Sequence, residues 1–193
     1  MFNGKLILGS ASPRRRELIE GLGLDCEVRI ESVEENYPAD LNIYKVPEYL
    51  AQIKAQPLLE GIKEDEVLLT SDTVVIMNND ILHKPKDEQN AYEMLKALSG
   101  QMNEVVTGVS LISNETKVVF SSITKVFFST LRDEDINYYI ERYKPFDKAG
   151  GYGIQEWIGQ IGVERIEGCF YNVMGLPIHQ VWEHLNGPKF QVS

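Results

Sequence analysis

The sequence predicts an α/β fold in which a sheet carries helices on its faces, and three observations carry that expectation. Short apolar runs rich in Val, Ile, Leu and Phe alternate along the chain with segments of helical spacing. The 193 residues, 43% of them hydrophobic, suffice for one substantial core, with room for two lobes around a cleft. No internal repeat, linker or low-complexity tract interrupts them, so residues 1–193 are expected to form a single domain.

Taken in order, Lys5-Leu6-Ile7-Leu8 reads as a short buried strand and residues 9–12 as a tight, hydroxyl-bearing loop. Ser12 is the expected N-cap and Pro13 the first residue of a helix running to Gly21 or Gly23, with Leu18, Ile19 and Leu22 as its apolar stripe. Arg15 shares that face, while Arg16 pairs with Glu20 one turn on at the surface. Residues 26–30 form a second strand, followed by the acidic loop 31–36. Pro47 opens a helix through Tyr49, Leu50, Ile53 and Lys54, which Pro57 should kink or end. Residues 67–77 make a strong strand with a polar interruption at Ser71-Asp72-Thr73, and Asn78-Asn79-Asp80 turns it into Ile81-Leu82-His83. Asp87 caps a helix with Ala91, Met94, Leu95 and Leu98 at core spacing, closed by Ser99-Gly100. Residues 104–113 and 117–129 are two strands around an Asn114-Glu115 turn. Thr130, with Asp133 three residues on, forms an approximate capping box for a helix that turns Ile136, Tyr139, Ile140 and Tyr143 inward. The glycine-rich segment 147–155, a strand at 162–167 and a helix from Pro177 with Val181, Trp182 and Leu185 inward complete the chain.

Arg14, Arg15 and Arg16 stand where a helix start ordinarily carries acids. Exposed N–H groups and a partial positive charge already occupy that turn, so each added cation costs about 0.3–1 kcal/mol unless an anion faces it. A phosphate site and a solvated basic turn both fit. Asp72 is a carboxylate inside an apolar strand, expensive to bury unless paired, hydrogen-bonded or metal-bound, and so a candidate base; the alternative is a turn at 71–73. Strand alternation sends Ser71 and Thr73 to the face opposite Asp72. Glu34 and Glu35 suit a hard divalent cation that takes one or two carboxylates plus phosphate oxygens, and suit a solvated loop as well. Lys54, Lys84 and Lys148 are scattered lysines to which spacing alone assigns no chemistry. Gly150-Gly151-Tyr152-Gly153 is not a P-loop, since no Gly-Lys-Ser/Thr follows. Its glycines permit positive φ and close approach to a ligand, and Gln155 offers one donor and one acceptor to a planar base.

A formal charge of −10 argues against a nucleic-acid polymer as partner but is compatible with a small anion chelated by a metal. Cys26 and Cys169 form neither a CxxC pair nor a disulfide framework, which implies a reducing, cytoplasmic setting. No segment has the apolar length of a membrane span, and Met1-Phe2-Asn3-Gly4-Lys5 lacks the pattern of a signal peptide. His83, His179 and His184 are read as structural or surface residues; the spacing of the last two puts them on different helix faces.

Several of these residues fall into ordered motifs. Ser10-Ala11-Ser12-Pro13-Arg14-Arg15, Ser71-Asp72-Thr73-Val74 and Lys84-Pro85 are followed by Leu98-Ser99-Gly100 and Thr107-Gly108-Val109. Asp147-Lys148-Ala149-Gly150 with Tyr152-Gly153-Ile154-Gln155, and then Gly175-Leu176-Pro177, complete the series. Together they resemble the Maf family of nucleotide pyrophosphatases, from Leu6 to about Leu185. The resemblance implies hydrolysis of a nucleoside triphosphate between its α and β phosphates, giving monophosphate and pyrophosphate, with a divalent cation, Mg2+ or Mn2+. It also implies a fold like that of inosine triphosphate pyrophosphatases, a twisted mixed sheet flanked by helices with two lobes around a cleft, and a homodimer. Carried to matching positions, Asp72 is the general base, Arg14, Arg15, Lys54 and Lys84 hold phosphates, Ser10 belongs to the substrate-binding set, and Glu35 serves the metal. Arg14, Thr73 and Gln155 match positions tied to substrate choice. The ending Tyr152-Gly153-Ile154-Gln155 resembles the branch acting on dTTP and UTP rather than the branch acting on 7-methyl-GTP. Two departures stand out: Glu156 follows the glutamine where that branch usually has glycine, and Pro57 falls in the helix that carries Lys54. The other readings are the 7-methyl-GTP branch, or a nucleotide-sensing regulator of cell division without useful turnover; the intact Asp72 favours an enzyme.

Overall fold

In the computed structural model, which describes residues 2–190, the apolar runs become strands β1 (Lys5–Leu8), β2 (Cys26–Val28), β3 (Glu66–Met77), β4 (Asp80–Leu82), β5 (Met102–Ile112), β6 (Lys117–Phe128) and β7 (Val163–Glu167). They join in one sheet in the order β2-β1-β3-β5-β6-β7, with β4 paired to β3. β1 runs parallel to β2 and β3, whereas β3–β4 and β6–β7 are antiparallel, so the sheet is mixed. The described helices are α1 (Pro13–Glu20), α2 (Val46–Ala55), α3 (Glu88–Leu98), α4 (Asp133–Tyr143), α5 (Trp157–Gly162), α6 (Phe170–Val173) and α7 (Ile178–Asn186). Met1 and residues 191–193, the two ends of the expected single domain, lie outside the described residues. Among the described residues no helix is long and apolar enough to cross a membrane.

Contacts divide the chain into two compact units. The first holds the segment ending at Asp72, Thr107–Ser122 and the segment from Gly175. In it Leu6, Ile7 and Leu8 are wholly buried, as a parallel strand covered on both faces requires. Helix α2 buries Val46, Leu50, Ala51 and Ala55, and the Thr70 hydroxyl of β3 donates to the Ala51 carbonyl at 2.7 Å. The start of α2 lies against β5 so closely that a methyl group on Gly108 would stand 2.2 Å from Pro47 C and from Glu48 N; only glycine leaves that room. Pro57 ends α2 rather than kinking it. The chain leaves the helix at Ala55 and continues as a 3-10 stretch, Gln56–Gly61, whose first turn tolerates the missing N–H.

The second unit, Thr73–Val106 and Ile123–Met174, has its own core, in which Leu95, Leu98, Val126, Phe128, Ile136, Tyr139 and Ile158 pack together. Asp87 caps α3 as expected, its carboxylate accepting from Asn90 N at 2.8 Å. Asn78 and Asn79 take φ of 52° and 64° between β3 and β4, the backbone a two-residue hairpin turn demands. Two expectations fail here. Helix α4 begins at Asp133 with Arg132 as its N-cap, so Thr130 stands outside it; three acids, Asp133, Glu134 and Asp135, stabilise the first turn instead of a capping box. Tyr143 is exposed, because the helix ends there, while Ile136, Tyr139 and Ile140 are buried as expected. The sequence reading also passes over α5. Its six residues include Gly159 and Gly162, which weaken any helical signal, and Gly162 closes the helix instead of opening β7.

Candidate active site

The loop between β1 and α1 is tied to β3 by a hydrogen bond from Gly9 N to Leu69 O at 2.8 Å. Ser12 has extended backbone at the helix start, as an N-cap should, but its side chain makes no capping hydrogen bond, and the first turn holds no acid. Its Arg16 pairs with Glu20 at 2.7 Å on the surface. Arg15 turns the other way. Its Nε donates to the Gly175 carbonyl at 2.9 Å and its Nη1 to Ser10 Oγ at 3.2 Å, while Ser12 N donates to the same Ser10 oxygen at 3.3 Å. Ser10 thus braces the arginine. Burial lowers the Arg15 guanidinium from its ordinary range; the Asp72 charge opposes this, the Arg14 charge adds to it and the Glu35 charge opposes it. Those charges act from close by.

Asp72 lies inside β3, not in a turn, and is 8% exposed. Its Oδ1 accepts from Lys54 Nζ at 2.6 Å, and the same ammonium is 3.1 Å from Glu35 Oε1. The arrangement follows from local geometry. Thr70 and Asp72 share a strand face, Ala51 and Lys54 share a helix face, and the Thr70–Ala51 hydrogen bond sets one pair beside the other. Glu35 comes from the exposed loop after β2, so its carboxylate reaches the cluster from the solvent side. Ser10, Arg14, Arg15, Glu35, Lys54 and Asp72 all belong to the first unit. Three cations against two carboxylates leave this cluster net positive in a chain of charge −10, the local focus that suits a small polyanion.

Thr73, Lys84 and Gln155 belong to the second unit. Thr73 follows Asp72 in β3 and is half-buried; Lys84 is exposed just after β4, beside the buried Pro85. Gln155 is half-buried in the turn before α5 and lines an open cavity of about 520 Å3 with Ile154, Val163, Arg165 and Phe170. Before it, Gly150 and Gly151 both take φ of 71°, the positive values expected of this segment. Lys148, read from sequence as a scattered lysine, is buried and pairs with Asp147 at 2.7 Å and Glu156 at 3.1 Å. Cys26 and Cys169 are free thiols.

No group of three or more His, Cys, Asp or Glu side chains that would hold a metal by itself occurs among the described residues. The donor set still fits a hard divalent cation of the kind that takes one or two carboxylates and completes its shell with phosphate and water. Glu35 and Asp72 meet at one ammonium, so two carboxylates are already close together.

This geometry sits on motifs spread along the chain, and the Maf-like protein family matches residues 5–187. The chain belongs to the Maf family. A protein of Parabacteroides distasonis named dTTP/UTP pyrophosphatase is 48% identical over 182 residues, covering 94% of each chain. One of Porphyromonas gingivalis (strain W83) with the same name is 50% identical over 184 residues, 94% of this chain and 92% of the relative. A third, of Flavobacterium johnsoniae, is 46% identical over 181 residues, 94% and 93%. Among solved structures the Staphylococcus aureus Ham1 protein superposes with a TM-score of 0.52 over 93% of this chain and 99% of its own, at 14% identity, a likeness of fold. For this Maf chain, sequence reasoning missed the Gly175 carbonyl as the anchor of Arg15, although Gly175-Leu176-Pro177 was among the family motifs. It also missed the contacts of Lys148 and Glu156. The first joins segments 160 residues apart, and the pairing of Lys148 with Glu156 depends on how the irregular glycine-rich segment between them folds back, which no helix or strand periodicity signals.

Proposed function

We propose that this chain hydrolyses dTTP and UTP to the nucleoside monophosphate and pyrophosphate. The observation that carries the reading is Asp72, a buried carboxylate held by a single ammonium beside a helix start dense in arginine. The names of relatives at 46–50% identity point to the same substrates.

In this reading the Asp72 carboxylate takes a proton from the attacking water as its oxygen bonds to the α phosphorus, and the bond to the α–β bridging oxygen breaks to release pyrophosphate. Lys54, between Asp72 and Glu35, holds the base in place and presents positive charge to the reacting phosphates. Arg14 and Arg15 neutralise phosphate at the N-terminus of α1, and the tether from Arg15 to Gly175 and Ser10 fixes its planar fork in advance. Lys84 is assigned to the phosphates as well, and Thr73 and Gln155 to substrate choice. A divalent cation, Mg2+ or Mn2+, held by Glu35 with substrate phosphates, would supply neutralisation of the charge developing on the leaving group. The amide of Gln155 matches the adjacent acceptor and donor of uracil or thymine. We further infer that residues 1–193 act as one domain, in the cytoplasm, as a homodimer, in line with the family and with the free thiols.

The test is incubation of the purified chain with each nucleoside triphosphate and Mg2+ or Mn2+, with monophosphate and pyrophosphate identified separately. The expected result is both products from dTTP and UTP, with ATP and GTP poor substrates. Release of orthophosphate, or preference for GTP, overturns the assignment.

A further inference from the structure

Uracil and cytosine differ at the edge an amide reads: one pairs a carbonyl acceptor with an N–H donor, the other reverses the two. An amide side chain free to turn over serves both. Discrimination between them therefore needs something that holds the Gln155 amide one way round.

Glu156 has the required placement. Its carboxylate is gripped at both oxygens: Lys148 Nζ is 3.1 Å from Oε1, and the Tyr139 hydroxyl donates to Oε2. The Tyr139 oxygen in turn accepts from Gly153 N at 3.0 Å. The backbone of Glu156 is fixed too, with its N–H on Gly153 O at 3.0 Å and its carbonyl accepting from Gly159 N and Gln160 N at 3.0 and 3.3 Å. Burial, and then the carboxylate itself, push the Tyr139 hydroxyl well above the usual tyrosine range, so it remains a proton donor to Glu156.

The Gln155 amide borders the same space as this carboxylate, above Gly153. A methyl group on Gly153 would stand 2.8 Å from Glu156 Cδ, 3.0 Å from its Oε2 and 3.2 Å from Gln155 Nε2, so carboxylate and amide NH2 converge over one residue that has no side chain. An anion there attracts the NH2 end of an amide and repels its carbonyl.

We propose that Glu156 is a positioning residue that holds the Gln155 amide in one orientation and thereby makes the chain favour uracil and thymine over cytosine. The inference rests on Gln155 reading the base, as proposed above. With the NH2 end kept toward the carboxylate, the amide presents its carbonyl to the N–H of uracil and its second N–H to the adjacent oxygen. Cytosine requires the reverse, with the Gln155 carbonyl against the carboxylate.

The experiment compares kcat/KM for UTP and CTP in the parent chain, in Glu156→Gln and in Tyr139→Phe. A neutral amide at 156 accepts or donates equally well, so the UTP to CTP ratio is expected to fall about tenfold, with the CTP value itself rising. Tyr139→Phe, which frees one carboxylate oxygen, should shift the ratio the same way by less, and it decides the matter alone if Glu156→Gln does not fold. A rise in CTP turnover cannot come from simple damage to the structure. An unchanged ratio, or UTP and CTP falling together, overturns the proposal while the proposed function stands. A parent inactive on both dTTP and UTP overturns that function and this inference with it.

Discussion

Two acids on one face of β3, Glu66 and Asp72, are both buried, yet they are held in opposite ways. Glu66 meets the Arg29 fork, Nη2 on Oε1 and Nη1 on Oε2, each at 2.7 Å, and Oε2 also accepts from Lys63 N at 3.2 Å. The Arg29 hydrogen bonds hold its carboxyl well below the usual range, at about 2, against the opposing effect of burial. Asp72 has one ammonium on one oxygen, shared with a third group. Burial alone therefore does not identify a reactive carboxylate. A bidentate partner saturates the acid and makes it structural, whereas a monodentate one holds the acid in place and leaves it able to accept a proton.

The largest effect expected from this contrast is on turnover. Asp72→Asn keeps the volume and removes proton acceptance, so kcat should fall by about 10²–10⁴ while triphosphate binding, followed by calorimetry, persists. Near-normal turnover would place Asp72 with Glu66 among the structural acids.

Glu66→Gln should show the converse, with kcat close to that of the parent and stability to denaturant lower by about 1–3 kcal/mol. The pH dependence sharpens it. The folded carboxyl titrates at about 2, below its ordinary value of 4.5, so its contribution is complete above pH 4.5 and is lost as pH falls from there toward 2. Unfolding midpoints measured across that window should converge for parent and variant at the acid end.

The smallest contrast lies within α1. Arg15→Lys loses a fork whose donors already serve Gly175 and Ser10, and kcat/KM should drop by about tenfold; Arg16→Ala removes only a solvent-screened surface pair and should leave turnover alone. Equal, small losses in both would return the arginine triplet to a solvated charge run.

How much of this could be read from the chain follows from the range of the interactions involved. Local signals were legible: Pro13 at the start of α1, Asp87 as the cap of α3, the Asn78-Asn79 turn and the Arg16–Glu20 pair all depend on neighbours within one turn. Asp72 stood out because an acid in an apolar strand conflicts with its surroundings. Glu66 did not, since it opens the same strand, where a charge looks like an ordinary boundary; its partner Arg29 lies on another segment. Thr130 was mistaken for a cap because its spacing to Asp133 imitates a capping box, while the actual start three residues on rests on acids facing the helix dipole. Glu156 was noticed only as a departure from the family pattern. Its partners, Tyr139 and Lys148, are brought to it by the fold of the second unit.

Gly108 turns a question of packing into one of mechanics. Helix α2 behaves as a lever: its near end presses on Gly108, its pivot is the Thr70–Ala51 hydrogen bond, and its far end carries Lys54. From Pro47 to Lys54 the arm is about 10 Å long. A methyl group at 108 must lift the near end by on the order of 1 Å to escape overlap with Pro47 and Glu48, and a stiff helix passes that displacement through the pivot to the ammonium beside Asp72. The reach of the Lys54 ammonium is in this way gauged by a residue that carries no side chain and touches neither charge.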